Sequence, residues 1–108
     1  MDENLKKIKE IILQVAKEMN IEIDKIILFG SRARGDYRED SDYDLLIVTK
    51  EKLDIEKELN FTFQTSNKII ETFDKPADII VISKEEFEKY KNWKSIVIGV
   101  AADEGIYL

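Results

Sequence analysis

The sequence predicts one α/β (α+β) domain, a small mixed β-sheet flanked by helices. Three observations lead there. The runs Lys25–Phe29, Tyr43–Thr49 and Ala77–Ile82 have strand length and carry almost no charge inside them, as strands covered on both faces do. The stretches between and around them place apolar residues every three or four positions, which is the helical period. The length of 108 residues, 44% of them hydrophobic, suits one core over residues 1–108.

Each element follows from its local pattern. Residues 3–19 form an amphipathic helix on Leu5, Ile8, Ile12, Val15 and Met19. Asp2 is its expected N-cap and Asn20 its C-terminal stop. Lys25–Phe29 is a strand ending at Gly30, and Gly30-Ser31 opens a short helix. Tyr43–Thr49 is a second strand built on Leu45, Leu46, Ile47 and Val48. A long helix over 54–73 is expected to pack through Leu59, Phe63, Ser66, Ile70 and Phe73, with Lys75-Pro76 breaking it. Phe61, Phe63, Phe73 and Phe87 are expected in the core or between helices. Ala77–Ile82 is the third strand, and Ser83 with Glu86 has capping-box spacing for a helix reaching Asn92. Tyr90 and Trp93 fit either a core or a partner surface. Ser95–Glu104 is β-branched yet helically spaced; it is assigned as helix, stopped by Gly105, with Ile106–Leu108 as an edge strand.

Composition removes several chemistries. There is no His and no Cys. A Ser-His-Asp triad, a thiolate nucleophile, a His/Cys zinc site and a disulfide framework are therefore all excluded. Any metal must take oxygen ligands, which favours Mg²⁺ or Mn²⁺. The net charge of −6 argues against nucleic-acid binding through bulk charge. The absence of Cys fits a cytoplasmic chain. The acidic start has the wrong sign for a secretory signal, and the longest apolar run, Ile96–Ala102, is far short of a membrane span.

The informative segment is Gly30–Asp44, GSRARGDYREDSDYD. It holds every arginine of the chain (Arg32, Arg34 and Arg38) and five acids within nine residues (Asp36, Glu39, Asp40, Asp42 and Asp44). Arg offers a planar fork that matches phosphate or carboxylate; an ordinary surface network of Arg and acid would have the same composition. Gly30 lets backbone approach a ligand, and the helix start with the Ser31 hydroxyl offers donors to phosphate oxygens, although plain turn and capping chemistry uses the same pair. Asp42 and Asp44 lie two apart at a strand start and so share one face. Two carboxylates so held repel unless a cation lies between them. Tyr43 points to the other face. Asp78 is the one charge in the third strand, either a buried group needing a partner or the strand's exposed first residue.

Gly-Ser, ten residues, Asp-x-Asp, and a third Asp on a separate strand resemble the nucleotidyltransferases of the DNA polymerase β superfamily. In detail, GSRARGDYREDSDYDLLIV after Ile26-Ile27-Leu28-Phe29 resembles the minimal nucleotidyltransferases (MNT), often the antitoxin halves of HEPN/MNT toxin–antitoxin pairs. The resemblance spans essentially the whole chain. It implies a polymerase β-like core, two Mg²⁺ ions (Mn²⁺ as the alternative) and ATP as substrate. It further implies that Gly30 and Ser31 hold the triphosphate, that Arg32 and Arg34 join the nucleotide-binding set, and that Asp42, Asp44 and Asp78 are the metal-binding, catalytic acids. Asp78 would complete one metal site and favour deprotonation of the acceptor hydroxyl; Asp74 is its fallback. The activity implied is AMP transfer from ATP to a hydroxyl of a HEPN-type RNase toxin. A chain this short leaves no separate acceptor-binding domain, which favours an acceptor that brings its own surface. The alternatives are an aminoglycoside-type small-molecule nucleotidyltransferase subunit and a non-catalytic antitoxin acting by occlusion.

Overall fold

The computed structural model describes residues 3–108. Helix α1 (Asn4–Glu18) leads into strand β1 (Ile23–Phe29), the single turn α2 (Ser31–Arg34) and strand β2 (Tyr43–Thr49). Helix α3 (Ile55–Phe73) crosses to strand β3 (Ala77–Ser83), followed by α4 (Lys84–Tyr90), α5 (Val97–Glu104) and the two-residue strand β4 (Ile106–Tyr107). The expected element order and the small mixed sheet are both present. The sheet order is β3-β2-β1-β4. β1 pairs antiparallel with both β2 and β4, while β2 and β3 run parallel. A parallel pair needs a long crossover, and α3 supplies it.

Both faces of the sheet are covered, which is why β2 alternates no polar residue into its interior. On one face Ile26, Leu28, Tyr43, Leu45 and Ile47 pack against α1 and α3 through Ile8, Ile12, Val15, Phe61 and Ile69. On the other, Ile27, Leu46, Val48 and Ile82 pack against Phe87 of α4 and Ala101 of α5. Residues of odd number in β2 therefore serve the α1/α3 face and those of even number the α4/α5 face. Asp44 belongs to the second set.

The ends of the elements show where sequence patterns were sufficient. Asn20 sits in the left-handed region at φ 60°, and the Ile21 N–H donates back to the Ala16 carbonyl at 2.8 Å, so the stop after α1 is as expected. Asp2 lies outside the described residues; the residue before α1 is Glu3, which makes no side-chain cap. Asp54 caps α3 by accepting from the Lys57 N–H at 2.8 Å. Ser83 and Glu86 form the full capping box. β1 begins at Ile23, two residues earlier than the apolar run, through an irregular step in its pairing with β2. α4 ends at Tyr90, short of Asn92.

Gly105 ends α5 as expected, at φ −75°, a conformation open to any residue. Glycine is needed for room: a Cβ there would run into the Ile27 side chain and the Ala101 carbonyl and lie 2.9 Å from the Leu28 carbonyl. One expectation is corrected, in α3. Its buried residues are Phe61, Thr65 and Ile69, whereas Leu59, Phe63 and Ile70 of the expected packing face are exposed. The helix has apolar residues on two adjoining faces, and periodicity alone cannot say which one meets the sheet. Phe61, Phe73 and Phe87 join the two cores as expected, and Phe63 does not.

Candidate active site at one end of the sheet

Strand pairing assembles the candidate residues. β1 ends where β2 begins, because the two are antiparallel, and Phe29 stands opposite Asp44. β3 begins beside β2, because those two are parallel, and Asp44 stands opposite Asp78. Gly30, Asp44 and Asp78, up to 48 positions apart in the chain, thus align across three neighbouring strands at one end of the sheet.

Gly30 occupies φ 74°, ψ −157°, a region essentially reserved for glycine. A Cβ there would collide with the Asp44 carboxylate and lie 3.0 Å from its Cγ. The missing side chain is therefore the space in which the Asp44 carboxylate sits. From Gly30 the chain turns directly into α2, with the Ala33 and Arg34 N–H groups both donating to the Gly30 carbonyl at 3.1 Å. Ser31, the first residue of that turn, is half-buried.

Asp44 is half-buried, and its carboxyl is raised above the ordinary value of 3.8. Burial is the largest cause; the charges of Asp78 and then Asp42 add to it, and Asp44 and Asp78 are close enough to share a hydrogen bond. The Arg34 guanidinium works in the opposite direction. Asp42 and Asp78 are exposed at the rim. The charges of Asp78 and Asp42 thus raise the proton affinity of Asp44, as expected of a place suited to positive charge.

The carboxylate oxygens of Asp42, Asp44 and Asp78 are a donor set that fits a hard divalent cation. Among the described residues, no group of three or more acids is already drawn together as a cage for a metal ion. Mg²⁺ is usually held by one or two carboxylates together with substrate phosphates, keeping several waters.

The arginines divide into different environments. Arg32 is 8% exposed. Its Nε donates to the Ser41 carbonyl at 3.0 Å and its Nη2 to the Glu39 carbonyl at 3.0 Å. Its guanidinium lies over the Tyr43 ring at 4.2 Å and the Tyr37 ring at 4.5 Å. Arg32 is therefore wrapped by the 35–42 loop and ties it to the start of β2. Arg34 is exposed and pairs with Asp36 at 3.4 Å. Tyr43 is fully buried on the other face, as its position between the two acids requires, and accepts from Asn4 Nδ2 at 3.1 Å. Asp74 caps the end of α3 in the left-handed region at φ 55°.

Ser41 was not singled out by the sequence. Besides accepting from Arg32 through its carbonyl, it accepts the Arg38 N–H on its Oγ at 2.8 Å, closing the turn that delivers Asp42. The signal available was a serine immediately before an acid in a turn-rich stretch, which is too common to select it.

Residues 5–101 match the family described as the nucleotidyltransferase domain. The chain belongs to that family. In this nucleotidyltransferase the strand register sets the Gly30 turn beside Asp44 and Asp78 at one end of the sheet. Among curated relatives, the chain is 38% identical over 88 residues to a Methanocaldococcus jannaschii protein named "Putative protein adenylyltransferase MJ0604", covering 82% of each chain. Solved structures share the nucleotidyltransferase fold. One described as a minimal nucleotidyltransferase superposes with a TM-score of 0.62 at 24% identity, covering 100% of this chain and 97% of that one. A toxin–antitoxin structure with AMP-PNP gives 0.61 at 16%, covering 92% and 70%. A tri-AMPylated Shewanella oneidensis HEPN toxin in complex with its MNT antitoxin gives 0.50 at 13%, covering 94% and 69%. No helix among the described residues is long and apolar enough to cross a membrane.

Proposed function

We propose that this nucleotidyltransferase moves AMP from ATP to a hydroxyl group of a partner protein, and that the partner is a HEPN-type toxin. The observation that carries the chemistry is the alignment of Gly30, Asp44 and Asp78 across three strands, with Asp42 beside them. The names of the relatives support the choice of AMP and of a protein acceptor.

In this reading the backbone at Gly30 and the Ser31 hydroxyl hold the triphosphate against α2, and Arg34 exchanges its surface partner Asp36 for a phosphate oxygen. Arg32 acts on the nucleotide indirectly, by holding the loop that positions Asp42. Asp42, Asp44 and Asp78 would hold Mg²⁺, with Mn²⁺ as the substitute. When bound, the metal neutralises phosphate charge and favours the deprotonated acceptor oxygen. The acceptor oxygen forms a bond to the α-phosphorus, the bridging bond to the β-phosphate breaks, and pyrophosphate leaves. The acceptor's proton goes to the Asp78 carboxylate and from there to water, since Asp78 is exposed at the rim and no histidine is present.

Calorimetry with ATP tests the binding half. Binding is expected to need Mg²⁺ or Mn²⁺, and equal affinity in EDTA would remove the metal from the account. Asp78→Asn is expected to keep Mg·ATP binding while losing transfer. Near-normal transfer by that variant would make Asp78 a strand-end acid and move attention to Asp74.

A further inference from the structure

Of the three acids, Asp42 is the one that no strand pairing holds. β2 begins at Tyr43, which stands opposite Ala77 of β3, so the exposed Asp42 lies one residue ahead of the ladder. Its direction depends on the residues on either side of it, and one guanidinium engages both. Arg32 donates from Nε to the Ser41 carbonyl at 3.0 Å, and the same group lies 4.2 Å from the centre of the Tyr43 ring. Tyr43 also differs from the residues that follow it on its face of the sheet. Leu45 and Ile47 bury hydrocarbon alone, whereas Tyr43 fully buries a phenol where the acids begin. Each part of it reaches a different segment. Its backbone N–H donates to the Pro76 carbonyl at 3.3 Å, two residues before Asp78. Its ring meets Arg32 of α2 and, with 6.2 Å between ring centres, Phe73 at the end of α3. Its hydroxyl accepts from Asn4 Nδ2 at the start of α1. An aliphatic side chain would pack there with no buried hydroxyl to satisfy, so packing alone does not call for tyrosine.

We infer that Tyr43 is a positioning residue for the metal, acting through Asp42: its ring, stacked on Arg32, fixes the start of β2 so that Asp42 stays beside Asp44. The inference rests on the metal-binding role proposed above for these acids. Asp42 and Asp44 repel each other before a cation arrives. A strand start free to swivel would let Asp42 turn away into solvent. With Ser41 before it and Tyr43 after it both held by Arg32, Asp42 has little freedom to do so. Ligands ordered in advance bind a metal more tightly, because less ordering remains to be done on binding. Tyr43 itself lies on the opposite face of the strand from Asp44 and touches no substrate, so its effect is confined to the direction of its neighbours.

Binding of Mn²⁺ alone, followed by the electron paramagnetic resonance signal of the free ion, reads the arrangement of the acids without nucleotide, acceptor or turnover. Tyr43→Leu is expected to weaken Mn²⁺ by about 10-fold or more, the scale on which partners that orient metal ligands act. Tyr43→Phe keeps the ring over Arg32 and loses the Asn4 bond, and should bind Mn²⁺ nearly as the parent does. Arg32→Lys withdraws the same stack from the other side; it should weaken Mn²⁺ as Tyr43→Leu does, and it replaces that variant if the leucine chain does not fold. Val15→Ala separates positioning from packing. Val15 is buried in the same core, but eleven residues, about 16 Å along α1, beyond Asn4. Both Val15→Ala and Tyr43→Leu should melt lower than the parent, yet Val15→Ala, measured below its melting temperature, should keep the parent's Mn²⁺ affinity. Equal losses of affinity in the two would reduce Tyr43 to packing and overturn the inference. Parent-like affinity in Tyr43→Leu, or in Arg32→Lys where that variant stands in, overturns it too, and leaves the metal-binding role of the acids standing. A Tyr43→Phe chain as weak as Tyr43→Leu overturns the stack as the means. A parent that binds Mn²⁺ no better than Asp44→Asn overturns the metal-binding role itself, and the inference with it.

Discussion

At the scale of single residues, Asp44 carries the most charge conflict. Its carboxyl binds its proton more tightly in the fold than in the unfolded chain, chiefly through burial and then through Asp78 and Asp42. The folded state therefore holds the extra proton, and stability falls as pH rises from the ordinary value of 3.8 through the raised one. At neutral pH the ionised group works against folding. Asp44→Asn is expected to melt no lower, and by this sign higher, than the parent at pH 7 without metal. The difference should vanish below the ordinary carboxylate range, and transfer should fall by roughly 10²-fold or more, the scale of losing one aligned electrostatic group. Melting curves against pH check the first part. A lower melting temperature at pH 7 would mean that Asp44 is a structural partner of Arg34. Adding Mg·ATP should stabilise the parent more than the variant. Gly30→Ala tests the neighbouring position. The alanine is forced into a region reserved for glycine, at about 1–2 kcal/mol, and its methyl enters the space of the Asp44 carboxylate. Urea unfolding should report the first effect and nucleotide affinity the second. A variant with unchanged affinity would show that the Asp44 carboxylate need not sit there. That Gly30 and Asp44 belong together was legible in the motif; that one fills the space left by the other was not, because it depends on the register of Phe29 against Asp44.

At the scale of elements, the 35–42 loop is held from inside by Arg32. Its donors to the Glu39 and Ser41 carbonyls lie on a planar fork, and its flat face lies against Tyr37 and Tyr43. Lysine keeps the charge and loses both geometries. Arg32→Lys is expected to cost about 2 kcal/mol in urea unfolding, the scale of losing hydrogen bonds made by a charged group. Amide exchange should accelerate within residues 35–42 first. Stability and exchange equal to the parent's would show that the loop stands without it. The sequence marked Arg32 as a phosphate candidate because composition cannot distinguish an arginine facing outward from one folded under its own loop. The same limit explains α3. Its existence and its rough span from Asp54 to Phe73 were readable from helical spacing and the Lys75-Pro76 break. The face turned to the sheet was not, since Phe61 and Ile69 compete with Leu59, Phe63 and Ile70 at equal hydrophobicity. The capping box at Ser83 and Glu86, by contrast, is entirely local, and the structure reproduces it.

At the scale of the whole molecule, the site exists because strand directions differ. Antiparallel β1–β2 and parallel β2–β3 bring one strand's end and two strands' beginnings to the same edge. The apolar runs specify the strands, but their order β3-β2-β1-β4 is a property of packing, and the grouping of Gly30, Asp44 and Asp78 follows from that order. The family motif anticipated the grouping before the topology did. With sheet faces covered by α1 and α3 on one side and α4 and α5 on the other, this open edge is where an acceptor can approach the acids. If the proposed partner docks against this acidic edge by charge, its association should weaken as salt rises. The most direct test of the central claim is intact mass spectrometry of the HEPN-type partner after incubation with this chain, ATP and Mg²⁺. The account predicts one or more AMP additions on the partner with the parent chain, and none with Asp42→Asn, Asp44→Asn or Asp78→Asn. A partner that is bound and silenced with its mass unchanged would contradict it, and would make the chain an inhibitor by occlusion rather than a transferase acting on that protein.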